Sequence, residues 1–489
     1  MSVYDIDINT YEQDFTITEG NKEINGEVHT SFELINEMLD LIPNKCFEDP
    51  TLKWLDPCAG RGYFGIILYK RLFEGLKNFY PDDKQRHNHI ITNMIYMTEI
   101  NSTFIPLLKQ LFGEKSNVFN VDFLKIPENP QKWVRKYDMI IGNPPYNTRK
   151  MNIIQDGNWV EVEGKGCWGW FVKKAVQLHL KGRGYLLFIT PSIWMKYDNS
   201  MFEEILRYNI KYIKTFNNTE SNKMFHGNGQ TPTCYFLLQR LQHGGISFEE
   251  YQHGEPVTGR PPENHLIQNI KIYDKIHNKY IKFKPHIRYP MDTSFSLPLF
   301  GVSIIKKLLP FVEKVGSIKV KKTNMRPGYK GLVVGPKLCK DTPYPNIKTC
   351  TLNGLQPQLV INFSNIKCQY YETPKLVLAH KMYGFPFLDI SGCFGISNRD
   401  NYVILNKTNE EFIKLKQFLS TNFIITMFES TRYRMKYLER HIFDMLPDIT
   451  KIEDFPEEIT DKTLFDYFKL DKLERNYITN FHKKKYLSF

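Results

Sequence analysis

The feature that most constrains the fold is a series of short apolar runs, each ending in a polar or small residue. Segments of helical character separate the runs, the alternation expected when parallel strands are joined by helical crossovers. In chain order, four of the runs lead into Asp56, Glu99, Asp122 and Gly142. Ligands of open α/β sheets bind beyond the carboxyl ends of the strands. The sequence therefore predicts an α/β sheet between residues 53 and 239, with a site at one edge.

The same reading predicts the domain organisation. Further strands are expected at residues 185–189, 212–216 and 235–238, after a helix over residues 170–180. Past residue 240 the chain becomes rich in Gly, Pro, His and Gln without a sustained period, which indicates a linker or a long excursion. We therefore expect a catalytic domain at residues 1–240, a linker at 241–264 and a second domain at 265–489.

Composition narrows the class of protein. The 489 residues include 65 Lys and Arg against 53 Asp and Glu, a net charge of +12 that favours a polyanionic partner such as nucleic acid. The mean hydropathy is −0.41, and no apolar run approaches the roughly 18 residues that span a bilayer. The polar N-terminus is unlike a signal peptide, and the eight scattered cysteines form no C-x-x-C pair. We expect no membrane association, no metal site, and a cytoplasmic location, at the nucleoid in a bacterium or the replication site of a virus.

The most informative motif is the tetrapeptide Asn143-Pro144-Pro145-Tyr146, which directly follows an apolar run. Each proline fixes its own φ and pushes the preceding residue toward extended conformations. Asn143 is therefore expected in a stiff, non-helical turn at the functional edge of the sheet. The alternative is a proline turn that merely closes a strand, but the flanking Asn and Tyr favour a preorganised binding loop.

A glycine loop follows the first predicted strand. It runs from Asp56 through Pro57, Gly60 and Gly62 into a helical segment over residues 64–72. Residues 60–65 also fit the G-x-G-x-x-G pattern of dinucleotide sites. The acid expected about 20 residues further on is missing at that spacing, since Glu99 lies 39 positions after Gly60. The loop is therefore predicted to bind a cofactor other than a dinucleotide.

Together, these motifs and their order resemble the amino-group methyltransferases that modify N6 of adenine in DNA, in the γ arrangement. The resemblance covers roughly the first 240 residues and implies a Rossmann-like class I methyltransferase sheet with S-adenosyl-L-methionine as cofactor. It implies that the Asn143 side-chain oxygen and the Pro144 carbonyl accept the two N6 hydrogens, while the methyl group moves in line. Tyr146 and Phe225 would pack against an adenine rotated out of the duplex.

The resemblance also assigns cofactor contacts. Asp56, Pro57, Gly60 and Gly62 would hold the amino-acid part of the cofactor, and Thr30 its methionine part. Glu99 would accept from the ribose hydroxyls and Asp122 from the adenine amine. Phe123 and Phe171 would pack on the adenine ring. The alternatives are helix-capping acids for Glu99 and Asp122, and plain core packing for Phe171 and Phe225.

The second half resembles the family's target-recognition region only loosely, in short segments. A mixed α+β domain is expected there. Its basic residues form two clusters, and the residues from Arg432 to Arg440 are spaced to line one helical face. Phosphate contact is the favoured interpretation, against an ordinary solvated charged face. The predicted nucleic-acid contacts are Lys319, Lys321, Lys322, Arg326, Arg432, Arg434 and Lys436.

The sequence thus predicts an enzyme that methylates N6 of adenine in a specific sequence of double-stranded DNA. A place in a restriction–modification system, with a separately acting cognate endonuclease, follows from the resemblance alone. Methylation of RNA adenine, methylation of a protein glutamine, and a DNA-binding modification subunit that needs a partner stay open as alternatives. The length after residue 240 argues against the glutamine substrate. Oligomeric state and target sequence are not predicted.

Overall fold

The computed structural model describes most of the chain. The residues it describes are 2–6, 11, 30–126, 136–155, 158–225, 227, 229, 231–242, 251–252, 255–256, 270–287, 294–325, 328–353, 356–380, 386–434 and 437–481. Two compact units share these residues. Unit 1 comprises Met1–Ile272 and Ile287–Ser294, and unit 2 comprises Tyr273–His286 and Phe295–Phe489.

Unit 1 is built on one large sheet with helices. Its strands are β1 Trp54–Asp56, β2 Ile95–Glu99, β3 Asn117–Asn120, β4 Tyr137–Gly142, β5 Asn147–Gln155, β6 Asn158–Lys165, β7 Leu180–Pro191, β8 Asn209–Phe216, β9 Thr233–Gln239, β10 Tyr251–Gln252, β11 Glu255–Pro256 and β12 Ile270–Asp274. Its helices are α1 Phe32–Leu39, α2 Lys45–Glu48, α3 Tyr63–Gly75, α4 Asp83–His89, α5 Ile105–Phe112, α6 Cys167–Lys174, α7 Ser200–Leu206 and α8 Asn218–Met224.

The strand order identifies the fold. Strands β3, β2, β1, β4, β7, β9, β8 and β12 lie side by side in that order. Neighbouring strands are parallel except around β9, which runs antiparallel to both β7 and β8. A sheet that begins 3-2-1-4 and carries one reversed strand near its far edge has the class I methyltransferase topology. The predicted α/β fold class is therefore confirmed.

The buried strands explain why this order is stable. Every residue of β1 and β2 is buried, as expected for parallel strands covered by helices on both faces. Helix α3 packs the buried side chains of Ile66 and Ile67 into the same core as Trp54 and Met97. At about 25 cal/mol per Å² of apolar surface, burial on this scale is the main stabilising contribution to the sheet.

Three features of unit 1 differ from the sequence interpretation. The alternation of apolar runs and helices is typical of parallel strands and gave no signal for the reversal of β9. The β5–β6 hairpin, which connects the tetrapeptide to α6, was not predicted. The catalytic domain was expected to end at residue 240, yet β12 pairs with β8, so the sheet continues beyond the predicted linker. All three depend on strand pairing, which alternating apolar runs do not specify.

Unit 2 has mixed α+β structure, as expected. Its further strands are β13 Lys279–Phe283, β14 Lys321–Lys322, β15 Val334–Gly335, β16 Tyr344–Asn353, β17 Gln356–Ser364, β18 Lys375–Ala379, β19 Phe387–Asp389, β20 Gly395–Ile396 and β21 Asn401–Ile404. Its helices are α9 Val302–Val315, α10 Asn409–Leu419, α11 Asn422–Phe428, α12 Asp461–Tyr467 and α13 Lys472–Phe481. Two four-stranded sheets have the orders β14-β21-β18-β19 and β15-β17-β16-β20.

One prediction for unit 2 is wrong. The spacing of basic residues from Arg432 to Arg440 was interpreted as one face of a helix, but the described residues of this stretch continue from a short 3-10 turn as irregular chain until the next 3-10 turn begins at Arg440. The preceding α11 ends at Phe428, so helical periodicity does not order these side chains.

Within the described ranges, no helix combines the length and apolar character needed to cross a lipid bilayer.

Candidate active site

The sheet order brings the predicted site residues to one edge. Strand β1 lies between β2 and β4, and all three run in the same direction. Asp56 and Glu99 therefore end adjacent strands, and Gly142 ends the strand on the other side of Asp56. Asp122 follows β3, the next strand outward. The edge predicted from the sequence is the one the structure forms.

The loop after β1 adopts a conformation that requires glycine. Gly60 and Gly62 have φ of +54° and +86°, in the left-handed region. A Cβ on Gly62 would lie 2.9 Å from Leu108 Cδ2, whereas a Cβ on Gly60 would meet nothing within 4 Å. The loop is held by donation from Ala59 N to the Thr98 carbonyl at 2.9 Å. The result is a fixed turn with open space at Gly60, which suits a bound ligand.

The Asp56 carboxyl group is buried, and only one of its two oxygens is hydrogen-bonded among the described residues. The residue is 4% exposed, and its Oδ1 accepts a hydrogen bond from Cys58 N at 3.1 Å. Its Oδ2 is buried and has no hydrogen-bond partner among the described residues. Burial, together with repulsion from Glu99, raises the pKa of Asp56 to about 7. A cationic group bound beside Oδ2 would stabilise the carboxylate.

Glu99 fixes the geometry of the loop. Its Oε2 accepts from Gly60 N at 2.7 Å, and its Oε1 accepts from Asn101 N at 2.7 Å. Each carboxylate oxygen has a second lone pair. The side chain can thus hold both backbone segments and still accept from a diol, so the predicted ribose contact is compatible with this geometry.

Asp122, Phe123 and Phe171 lie beside one another at the neighbouring strand end. The Oδ1 of Asp122 accepts from Leu124 N at 3.0 Å, which is the capping interaction considered as the alternative. Phe123 and Phe171 stack with ring centroids 5.4 Å apart and planes 24° apart. Both rings are buried. The structure therefore brings together the three residues assigned to the cofactor adenine, while the two rings already pack on each other.

The tetrapeptide after β4 lies against the glycine loop. A Cβ added to Gly142 would stand 3.0 Å from Asp56 Oδ1 and 3.5 Å from Cys58 Sγ. Any side chain at that position would separate the two loops. Asn143 Nδ2 donates to Thr30 Oγ1 at 3.1 Å, and Thr30 is 3% exposed. Three predicted residues, far apart in sequence, thus meet at one place.

Tyr146 and Phe225 are also brought together. Their rings are perpendicular, with centroids 6.4 Å apart and an interplanar angle of 83°. Burial raises the pKa of Tyr146 well above its usual value, and its buried hydroxyl has no partner among the described residues. Phe225 belongs to the hydrophobic core of unit 1, as expected if its role is core packing. Its ring lies edge-on to the ring of Tyr146.

The sequence analysis missed two residues next to this loop. Cys167 Sγ donates to the Pro145 carbonyl at 2.7 Å, and Cys58 Sγ would stand 3.5 Å from a Cβ added to Gly142, the residue before Asn143. Both cysteines were considered only as metal ligands or disulfide partners. The available signal was position: Cys58 lies inside the glycine loop and Cys167 begins helix α6.

The residues predicted to contact nucleic acid differ in whether their charged groups are exposed or already paired. Lys321, Lys322 and Arg434 are exposed, and exposed Lys319 donates to Ser317 Oγ at 3.1 Å. Arg432 instead forms an ion pair with Glu429 at 2.9 Å. Arg326 and Lys436 lie outside the described residues.

One group of side chains in unit 2 has the composition of a metal site. The ligand atoms of His277, Asp471 and Glu474 lie within 4.8 Å of one another. Lys307 already pairs with both acids. Burial lowers the pKa of His277, but hydrogen bonds to Asp274 and Asp471 outweigh it and raise the pKa. The cluster therefore already contains a cation, the ammonium group of Lys307.

Comparison with known proteins agrees with this geometry. Residues 33–225 match the Eco57I restriction-modification methylase family, a segment that includes the glycine loop, the tetrapeptide and Phe225. A Mycoplasma pneumoniae protein described as an uncharacterized adenine-specific methylase is 26% identical over 301 residues, which cover 45% of this chain and 68% of that protein.

Among solved structures, the type I restriction enzyme EcoKI M protein is 14% identical, with a TM-score of 0.37 over 52% of this chain and 49% of that one. The type I methyltransferase subunit from Streptococcus thermophilus is 13% identical, with a TM-score of 0.33 over 53% of this chain and 51% of that one. The chain thus spans about half the length of these two proteins. The strand order of unit 1 defines the fold, and the family match indicates the class of protein. Residues 33–225 are thus similar to an Eco57I restriction-modification methylase domain, a likeness that supports an adenine-specific, S-adenosylmethionine-dependent methyltransferase.

Proposed function

We propose that this chain transfers a methyl group from S-adenosylmethionine to N6 of an adenine in a specific sequence of double-stranded DNA. The observation that carries the proposal is the position of the Asn143–Tyr146 loop. It follows β4, directly beside the Asp56 carboxylate at the end of β1. An amide oxygen and a proline carbonyl thereby stand next to the cofactor loop.

The residues at this edge fit the cofactor. Asp56 has a buried, unpartnered oxygen among the described residues, which suits the ammonium group of an amino acid. Gly60 leaves open space beside the loop, and Glu99 is placed to accept from a ribose diol. When bound, S-adenosylmethionine supplies an electrophilic methyl group on a sulfonium. Thr30, Pro57, Gly62, Asp122, Phe123 and Phe171 complete the proposed cofactor contacts.

The tetrapeptide would prepare the target amine. The exocyclic nitrogen of adenine is a weak nucleophile because its lone pair is conjugated with the ring. Since Asn143 Nδ2 donates to Thr30, the opposite end of the amide is the acceptor. Acceptance of one N6 hydrogen by Asn143 and the other by the Pro144 carbonyl favours a pyramidal nitrogen with its lone pair directed at the methyl group. Positioning, rather than a strong base, would contribute most of the rate.

The target base must leave the duplex to reach this loop. Unstacking costs a few kcal/mol, and stacking on an aromatic side chain returns about 1–3 kcal/mol. Tyr146, supported edge-on by Phe225, is the proposed stacking surface. The exposed Lys321 and Lys322 of unit 2 are proposed to contact phosphates. A separately acting cognate endonuclease, or further subunits, would complete a restriction–modification system.

The test is methyl transfer from labelled S-adenosylmethionine to duplex DNA, RNA and protein extract. We expect label in DNA as N6-methyladenine, and a fall of about 10³-fold in kcat for Asn143→Ala, because a preorganised polar contact to the reacting group is lost. Asn93→Ala, at an exposed position of unit 1, is the matched control and should retain activity. Label in RNA or protein would contradict the DNA substrate. Cofactor binding without any transfer would favour a subunit that needs its partner.

A further inference from the structure

The Asn143–Tyr146 loop has few backbone groups with which to anchor itself. Pro144 and Pro145 have no N–H, so the loop's backbone donors are those of Asn143 and Tyr146. Two prolines stiffen the loop internally but do not fix its position relative to the sheet. Its placement must therefore come from side chains of neighbouring elements.

The first anchor is Cys58. Its Sγ would stand 3.5 Å from a Cβ added to Gly142, the residue before Asn143, and its backbone N–H donates to Asp56 Oδ1 at 3.1 Å. Burial, strengthened by the charges of Asp56 and Glu99, raises the pKa of Cys58 well above the usual value. The group is therefore a neutral thiol beside the start of the Asn143–Tyr146 loop.

The second anchor is Cys167, the first residue of α6. It is 1% exposed, and its S–H donates to the Pro145 carbonyl at 2.7 Å. Burial raises its pKa to about 12, so the proton needed for this donation is present throughout the neutral range. Close by, Gly166 N donates to Asn147 Oδ1 at 2.8 Å, so the start of α6 is tied to the chain on both sides of Tyr146.

We propose that Cys58 and Cys167 are positioning residues that fix the two ends of the Asn143–Tyr146 loop, so that the Asn143 amide and the Pro144 carbonyl are held for the target amine. This inference rests on the proposed function. The two sulfurs lie on either side of Pro144, whose carbonyl is the second acceptor proposed for the target amine. Through its backbone N–H, Cys58 also holds the acid proposed to bind the cofactor.

The test compares Cys167→Ala, which removes the donor, with Cys167→Ser, which keeps one. We expect kcat to fall about tenfold in Cys167→Ala, because small displacements of a positioned group slow group transfer. The KM for S-adenosylmethionine should change less than about twofold, since the hydrogen bond that Cys167 donates is to the Pro145 carbonyl of the tetrapeptide, and Cys167→Ser should recover most of the rate. Cys58→Ala and Cys58→Ser are expected to differ in the same direction. Cys46→Ala removes a buried thiol from the hydrophobic core of unit 1, outside the tetrapeptide, and is the matched control.

The outcomes separate this inference from the proposed function. An inactive wild-type protein would contradict the function, whereas an active wild type with unchanged kcat in Cys167→Ala would overturn the positioning role. A loss equal to that of Cys46→Ala, or a loss that serine does not recover, would also overturn it, because general destabilisation would then suffice. If Cys167→Ala does not fold, Cys167→Val fills the space without a donor, and its kcat relative to Cys167→Ser decides between the same two results.

Discussion

The strand edge of unit 1 and the basic surface of unit 2 are both predicted to bind polar ligands, but they are built differently. At the strand edge, buried Asp56 accepts a hydrogen bond from the backbone N–H of Cys58, and buried Thr30 accepts one from the Asn143 side chain. On unit 2, Lys321 and Lys322 are exposed on a two-residue strand, and nothing in the sequence distinguishes them from the ion-paired Arg432. A site that depends on backbone geometry requires particular residues at fixed spacing, so it can be recognised as a motif. A site that depends on surface charge changes only the composition of the chain.

The largest effect that this comparison predicts is at Asp56. We expect Asp56→Asn to weaken S-adenosylmethionine binding about 100-fold, because the cation loses its buried anionic partner. The free protein should lose little thermal stability, since Asn keeps an acceptor for Cys58 N and no charge is then buried. Calorimetric titration and thermal unfolding measure the two effects.

Asp122→Asn is the matched control for that experiment, because Asp122 also follows a strand but is partly exposed and caps a turn. Its expected loss of affinity is about fivefold, the value of a single hydrogen bond. Equal losses at the two positions would contradict the special role of the buried acid.

Tyr146 tests the substrate side of the same edge. Tyr146→Ala should lower kcat/KM for DNA about 30-fold through lost stacking on the flipped base. Tyr146→Phe should stay within about twofold, because the hydroxyl has no partner among the described residues to lose. Steady-state kinetics at saturating cofactor give both ratios. A strong loss in the Phe variant would instead assign the hydroxyl to a substrate contact.

The pH dependence of cofactor binding sharpens the assignment of Asp56. Its pKa in the free protein is about 7, above the ordinary carboxyl value, and a bound cation lowers it, so binding releases a proton below pH 7. Affinity should therefore rise about tenfold per pH unit toward neutrality and level off above about pH 7. Titrations of wild type and Asp56→Asn across this range measure it. A wild-type slope that persists in the Asn variant would belong to another group.

The smallest predicted effect is on the basic surface of unit 2. Replacing Lys321 and Lys322 with Ala should weaken DNA binding about fivefold and reduce the log–log salt slope by about 2, one for each phosphate contact. kcat at saturating DNA should not change. Arg432→Ala should leave the salt slope unaltered because its guanidinium is already paired with Glu429. The same salt slope in the Lys321 and Lys322 double variant and in Arg432→Ala would contradict the proposed difference between exposed and ion-paired basic residues.

Much of unit 1 was predictable because its signals are local. The apolar runs before Asp56, Glu99 and Gly142 form strands, and parallel strands necessarily bring their carboxyl ends to one edge. The reversal of β9, the β5–β6 hairpin and the pairing of β12 with β8 were not predictable, since strand pairing depends on contacts distant in sequence. The helix expected near Arg432 failed for a related reason, because spacing alone does not make a helix without an apolar face that packs.

By itself, the sequence determined the chemistry at the edge: an acid and a glycine turn after one strand, and an amide before two prolines after another. These residues act through local backbone geometry, so their role can be predicted from their position directly after a strand. Only the tertiary structure decided which groups complete the site. It placed Thr30 against Asn143 across 113 positions, Cys167 against Pro145, and Phe225 against Tyr146. Such contacts arise when buried elements pack together, because a buried polar group or ring must find a partner in the core, and that partner need not be near in the sequence.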